Sequence, residues 1–273
     1  MREPSEVERE IARLADTRRR AMHNLDFFDA EAWLGKPAGF PLAQEMSRQG
    51  LAGALAEVGI TGCCYSHWSG HTVSAQEGNR ALLAEAQAAG AGFHAIWTGL
   101  PLFPPEGAPL PGGSDPPPSL CGVRLFPKTH NYPLSAWVVG ELCEWLIRHR
   151  LPLFVWHEET GWDSLGALAS AYPALHIVVE TQVRKVFYHL RPLFALMRAF
   201  PNVLLETSNL TGIDSVAFAV RAFSAERLLF GSFLPANDPL AAMGMIADAD
   251  ITEEEKRLVA GGNVRRLIDG RMP

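Results

Sequence analysis

The 273-residue sequence predicts an α/β fold, a (β/α)8 TIM barrel with extra N- and C-terminal helices. Three observations carry that expectation. Eight short apolar runs rich in β-branched or aromatic residues recur along the chain, segments of helical periodicity separate most of them, and no Gly-rich phosphate loop follows the first run. The missing loop argues against an open doubly wound sheet, and a barrel of about 250 residues fits the length as one domain. Residues 23–273 form that expected domain, and residues 1–22 stand outside it as a leader helix.

Taken in order, residues 5–22 place Val7, Ile11, Leu14 and Ala15 at helical spacing among many charges, the pattern of a helix packed on the outside of a domain or solvated on all sides. The expected strands are Phe27–Trp33, Gly59–Ser66, Phe93–Thr98, Gly122–Phe126, Leu153–His157, His176–Thr181, Val203–Thr207 and Arg227–Gly231. Helices are expected over 41–57, 76–89, 134–149, 162–171, 187–199, 213–223 and 237–248. The third crossover breaks the rule: residues 99–120 hold eight Pro and four Gly, too many for a helix. Such a segment is either a working loop at the barrel mouth or an insertion without a role.

Composition narrows the partners. With 24 Lys+Arg against 30 Asp+Glu the net charge is -6, which lacks the basic footprint of a nucleic-acid binder. No stretch reaches the ~18 apolar residues of a membrane helix, and the charged start has no signal-peptide core, so a cytoplasmic protein with no membrane partner is expected. Cys63, Cys64, Cys121 and Cys143 form no C-x-x-C pair and read as reduced, buried thiols. A small-molecule substrate or ligand is the expected partner, and a homo-oligomer is compatible with all of this.

In a barrel, chemistry sits where strands end. The polar residues there are Asp29, Glu31, His67, His71, Lys128, His130, His157, Glu158, Glu180, Thr181, Glu206 and Ser208, more than a core tolerates unpaired. His67 and His71 lie four apart, but Gly70 between them favours a loop over a metal-binding helix.

The run Asp29-Ala30-Glu31-Ala32-Trp33-Leu34-Gly35 resembles the D-x-H-x-H-x-G opening of the amidohydrolase superfamily, in its amidohydrolase-2 branch of metal-dependent TIM barrels. Leu151–Trp156 resembles that family's fifth strand, L-P-V-x-x-H. Tyr172–Thr181 resembles its sixth, Arg227–Pro235 its eighth (R-x-L-F-G-S-D-x-P), and Gly262–Leu267 its closing G-N-x-x-R-L helix. At the five positions to which the resemblance assigns metal ligands, this chain has Glu31, Trp33, Trp156, Thr181 and Phe233. Three rings without donor lone pairs leave no closed coordination shell, so no metal and no other cofactor is expected.

Taking those positions to point into the barrel, Asp29, Glu31 and Trp33 face in, as do Trp156 and Thr181; His157 and Glu180 then turn outward under the helices. Pro127 ends strand four and frees Lys128 and His130 to reach the mouth, while Glu206 and Ser208 share one face. What the resemblance implies is a metal-independent hydrolase for a small anionic or aromatic substrate. Glu31 would be the general base, its pKa raised by Trp33, Trp156 and Phe233; Lys128 and His130, with His67, would meet the oxyanion. Trp33, Trp156, Thr181, Glu206, Ser208 and Phe233 would line the substrate site. The alternative is a pseudoenzyme that keeps the aromatic mouth as a binding module. The two part on whether Glu31 and Lys128 share a pocket.

Overall fold

The computed structural model describes residues 5–86, 92–101, 116–117, 119–181 and 186–270. Eight parallel strands pair in sequence order: β1 (Asp29–Leu34), β2 (Cys63–His67), β3 (Phe93–Thr98), β4 (Leu120–Leu125), β5 (Leu153–Trp156), β6 (Ile177–Glu180), β7 (Val203–Glu206) and β8 (Leu228–Leu229). The segment after β8 returns to β1. Ala30 N–H donates to Phe230 O (2.8 Å), Phe233 N–H to Glu31 O (2.9 Å) and Trp33 N–H to Leu234 O (2.9 Å), so the sheet closes on itself. All eight expected strands are present, with ends displaced by a few residues.

Helices alternate with the strands: α1 (Glu6–His23), α2 (Arg48–Val58), α3 (Ser69–Thr72), α4 (Ala75–Ala86), α5 (Ala136–His149), α6 (Trp162–Ala171), α7 (Val186–Ala199), α8 (Ser215–Phe223), α9 (Pro239–Ala247), α10 (Glu253–Arg257) and α11 (Asn263–Ile268). α1 starts on a Ser5/Glu8 capping box and buries none of its side chains fully, yet it rests on the outside of the barrel against α9, where Arg18 meets Asp248 at 2.6 Å and stands against Gly244. α2 is shorter than expected. Ser47 caps it and Met46 pairs with Gly35, which takes 41–47 out of the helix. A one-turn helix, α3, stands where a loop was expected around Gly70. Its Gly70 lies against Gly78 of α4 and Thr98, where no Cβ fits. Most of the Pro-rich stretch, 102–115 and 118, lies outside the described residues, as does the end of the helix expected over 76–89. Among the described residues no helix is long and apolar enough to cross a membrane. The four cysteines are buried.

Strand alternation sorts side chains into two shells. Val123, Leu125, Val155, Val179 and Leu205 pack outward against the helices. Inside, the barrel is filled in three levels. The floor is Ala30, Cys64, Ile96, Phe154, Val178, Leu204 and Leu229, closed below by Phe28 with Val264 and Leu267 of α11. Two residues further along the strands come Ser66, Thr98, Arg124, Glu180 and Glu206, all buried. Above them Trp33, Trp68, Phe126, Trp156 and Phe233 form an aromatic level.

Candidate functional site

The polar level is built by single charged residues set into apolar strands. Arg124 of β4 lies fully buried, and its Nε donates to both Glu180 oxygens at 3.1 and 2.9 Å. Nη2 also donates to Glu180 and Nη1 to Ser66 Oγ. The guanidinium lies 4.3 Å from the centroid of the Trp33 ring. Glu206 accepts from Thr181 N–H (3.2 Å), Thr181 Oγ1 (3.3 Å), Ser208 Oγ (3.0 Å) and Ser208 N–H. Glu31 accepts from Trp33 Nε1 at 3.4 Å, and its other oxygen lies 3.4 Å from Ser208 Oγ, whose proton goes to the nearer Glu206.

Carboxylates sealed from water resist ionisation. Burial, then the charges of Glu180 and Glu206, push Glu31 well above the carboxylate range. Burial and the charge of Glu180 push Glu206 up to about 7 despite the N–H bonds it accepts. Glu180 is also raised by burial, which outweighs the pull of Arg124. The two carboxyl groups also hydrogen-bond to each other, which raises Glu31 and lowers Glu206.

A pocket of about 240 Å³ opens on the far side of the aromatic level, lined by Ala38, Phe40, Trp68, His71, Lys128, Thr129, Trp156, Glu158, Glu159 and Phe233. Rings pack its floor: Trp33 stands 4.7 Å from Trp68 and 5.3 Å from Trp156, and Phe126 stands 5.1 Å from Trp156. At one side His71 Nε2 lies 3.3 Å from Glu159 Oε1 and 3.1 Å from Thr129 Oγ1. Thr129 donates to Glu159 through its hydroxyl (2.7 Å) and its N–H (2.8 Å). Burial would raise the Glu159 pKa, but the bonds from His71 and Thr129 outweigh it and hold the carboxyl below its usual range. The indole N–H groups of Trp68 and Trp156, and His71 Nδ1, are buried without a hydrogen-bond partner.

The sequence-selected residues therefore fall into separate places. Glu31, Trp33, Thr181, Glu206 and Ser208 come together in the sealed interior; Lys128, Trp156 and Phe233 line the pocket. Glu31 is 0 % exposed and does not line the pocket, so the Glu31–Lys128 pair is not brought together. His130 packs edge-on against Phe126 at 5.6 Å behind the pocket wall, and burial, then His71, lowers its pKa. His67 leaves the site altogether: its Nδ1 meets Ser69 Oγ at 2.7 Å and its ring covers Gly35, where a Cβ would stand 2.8 Å from it. His157 does sit away from the barrel axis, against Trp162 of α6 and the Glu180 carbonyl (3.2 Å).

Two orientations differ from the sequence reading. Glu180 pairs in register with Trp156 and so faces inward with it, while Thr181 lies just past the strand end. On β1 the register shifts between Asp29 and Ala32, and Ala30 joins the interior floor. The Asp29 carboxylate instead binds Ser232 N–H (2.9 Å) and its hydroxyl. Sequence reasoning missed Arg124, Trp68, Thr129 and Glu159. Arg124 carried a signal, a lone charge inside the apolar run Gly122–Phe126.

The five positions matched to metal ligands do not fit a metal ion. Trp33, Trp156 and Phe233 have no donor lone pair, and the Arg124 cation covers the Trp33 ring.

Comparison with known proteins agrees with the architecture. A crystal structure of an uncharacterised TIM-barrel protein from Bordetella bronchiseptica is 17% identical, covers 96% of this chain and 92% of its own, and superposes with a TM-score of 0.64. A zinc-bound amidohydrolase from Burkholderia multivorans is 16% identical (90% and 99% covered, TM-score 0.66). A 2,6-dihydroxybenzoate decarboxylase from Rhizobium is 14% identical (88% and 98% covered, TM-score 0.65). At these identities the likeness is one of fold. A search of curated proteins gave no match. The family model described as Amidohydrolase matches residues 72–269, most of the chain, and the chain belongs to the amidohydrolase family.

Proposed function

We propose that this chain is an enzyme that hydrolyses a small aromatic anion in the pocket above the aromatic level, by acid–base catalysis from His71 and without a metal ion. The observation that carries this reading is the hydrogen bonding of His71. The Thr129 hydroxyl commits its proton to Glu159 at 2.7 Å, so its oxygen accepts from His71 Nε2 at 3.1 Å. Nε2 therefore carries the ring proton and Nδ1 the lone pair, with no partner in the protein. An imidazole oriented by a carboxylate is equipped to take a proton from water at Nδ1 once a substrate parts the rings that close over that atom.

The rest of the pocket suits the substrate. Its volume is below the ~300–1,000 Å³ of pockets for drug-sized ligands, so it takes a small one. Trp68, Trp156, Phe40 and Phe233 offer faces to a ring, while the Lys128 ammonium offers donors to an anion. In this scheme water loses a proton to Nδ1 and adds to the carbonyl carbon. Lys128 meets the developing oxyanion, and the leaving oxygen takes the proton back from His71. A silent binding barrel would keep the aromatic walls but has no use for an oriented His71–Glu159 pair.

The fold likeness to a dihydroxybenzoate decarboxylase favours a second reading, in which protonated His71 delivers its proton to the ring carbon that loses CO2. Screening aryl esters, lactones and hydroxybenzoates, with CO2 release measured alongside, separates the two. His71→Ala should lower kcat/KM on any hit by about 100-fold or more. Turnover unchanged in that variant would remove His71 from the chemistry.

A further inference from the structure

We propose that Arg124 is a built-in cation that supplies the counter-charge for Glu180 at the centre of this barrel, so that the fold holds this buried carboxylate without any divalent ion. The inference stands apart from the proposed chemistry, since Arg124 does not line the pocket.

Three glutamates, Glu31, Glu180 and Glu206, lie fully buried beneath the rings. An ionised carboxylate in such surroundings needs a partner of opposite charge and filled hydrogen bonds. The Burkholderia amidohydrolase of the same fold binds zinc. Here three of the five matched positions are Trp33, Trp156 and Phe233, which can hold no ion, and Arg124 is the one fully buried cation among the described residues. Its placement is specific. The guanidinium lies over the rings of Trp33 (4.3 Å) and Phe154 (5.6 Å), and its N–H groups are spent on Glu180 and Ser66. A planar, weakly hydrated fork suits both demands, ring faces and a carboxylate, where an ammonium or a hydrated ion does not. Neighbouring side chains are trimmed to fit: a Cβ on Gly231 would strike the Glu206 carboxylate, and one on Gly122 would stand 2.5 Å from Phe154. The rings at the ligand positions and the arginine thus form one arrangement, in which Trp33 packs the cation that pairs with Glu180.

The test is thermal unfolding of the wild type, Arg124→Met and the double variant Arg124→Met/Glu180→Met, each with EDTA and with added zinc or manganese. The wild type should unfold at the same temperature in all three conditions. Arg124→Met should lose about 10 °C, because it strands the Glu180 charge, and the double variant, which removes both charges, should recover at least half of that loss. A wild-type Tm lowered by chelation or raised several degrees by either ion would overturn the proposal. So would a single variant as stable as the wild type, or a double variant no better than the single. If Arg124→Met does not fold at all, the double variant alone decides, folding if the pair is the reason and failing if it is not.

Discussion

His71 touches almost nothing but rings and the two groups that orient it. Its imidazole lies 4.7 Å from Phe126 and 4.8 Å from Trp156, so its tautomer is set by Glu159 and Thr129 alone. Glu159→Gln keeps the shape but offers a weaker acceptor to Nε2, and should lower kcat by about tenfold or more with little change in KM. Lys128→Met keeps the length of the side chain while removing its ammonium donor. It should raise the KM or Kd of an anionic ligand by about tenfold, the value of one hydrogen bond, and leave a neutral analogue unaffected. Steady-state kinetics on both variants read these effects. Residue types at the mouth were legible in the sequence, but pairing was not. Glu159 and Thr129 come from the loops after β5 and β4, 30 positions apart, and His71 from α3, so nothing local links them.

At the scale of the element, strands were read well because period-2 alternation over an apolar core leaves a strong trace, as in β3, found at Phe93–Thr98. Facing was read less well where the trace breaks. The shift on β1 turns Asp29 to Ser232, and β6 ends at Glu180, one residue before the position that the family alignment favoured. Around β8 the chain depends on glycine. Gly231 leaves room for Glu206, so Gly231→Ala should destabilise by about 1–3 kcal/mol, and Glu206→Ala in the same chain should restore much of that loss. Denaturant unfolding of the single and double variants measures the coupling.

Over the whole molecule, buried carboxylates set the response to pH. Glu206 is pushed up to about 7 and Asp29 to about 6, both by burial first, from ordinary values of 4.5 and 3.8. Between those limits the folded chain holds protons that the unfolded chain releases, so stability falls as pH rises through that window. Glu159 has the opposite sign: its lowered pKa contributes stability that is lost only as pH falls below the usual carboxylate range. Tm should therefore rise as pH is lowered from about 7 to about 5, and Glu206→Gln should flatten that slope. The barrel as a whole was visible in eight apolar runs, but its division into a sealed charged level and an open pocket was not, because it follows from five rings meeting across separate strands and loops. That division is tested most directly by a crystal structure of the protein soaked with 2,6-dihydroxybenzoate. The expected result is a ring between Trp68 and Trp156 with its carboxylate against Lys128 and His71, above an intact aromatic level; a ligand found beneath that level, against Glu31 and Glu206, would contradict it.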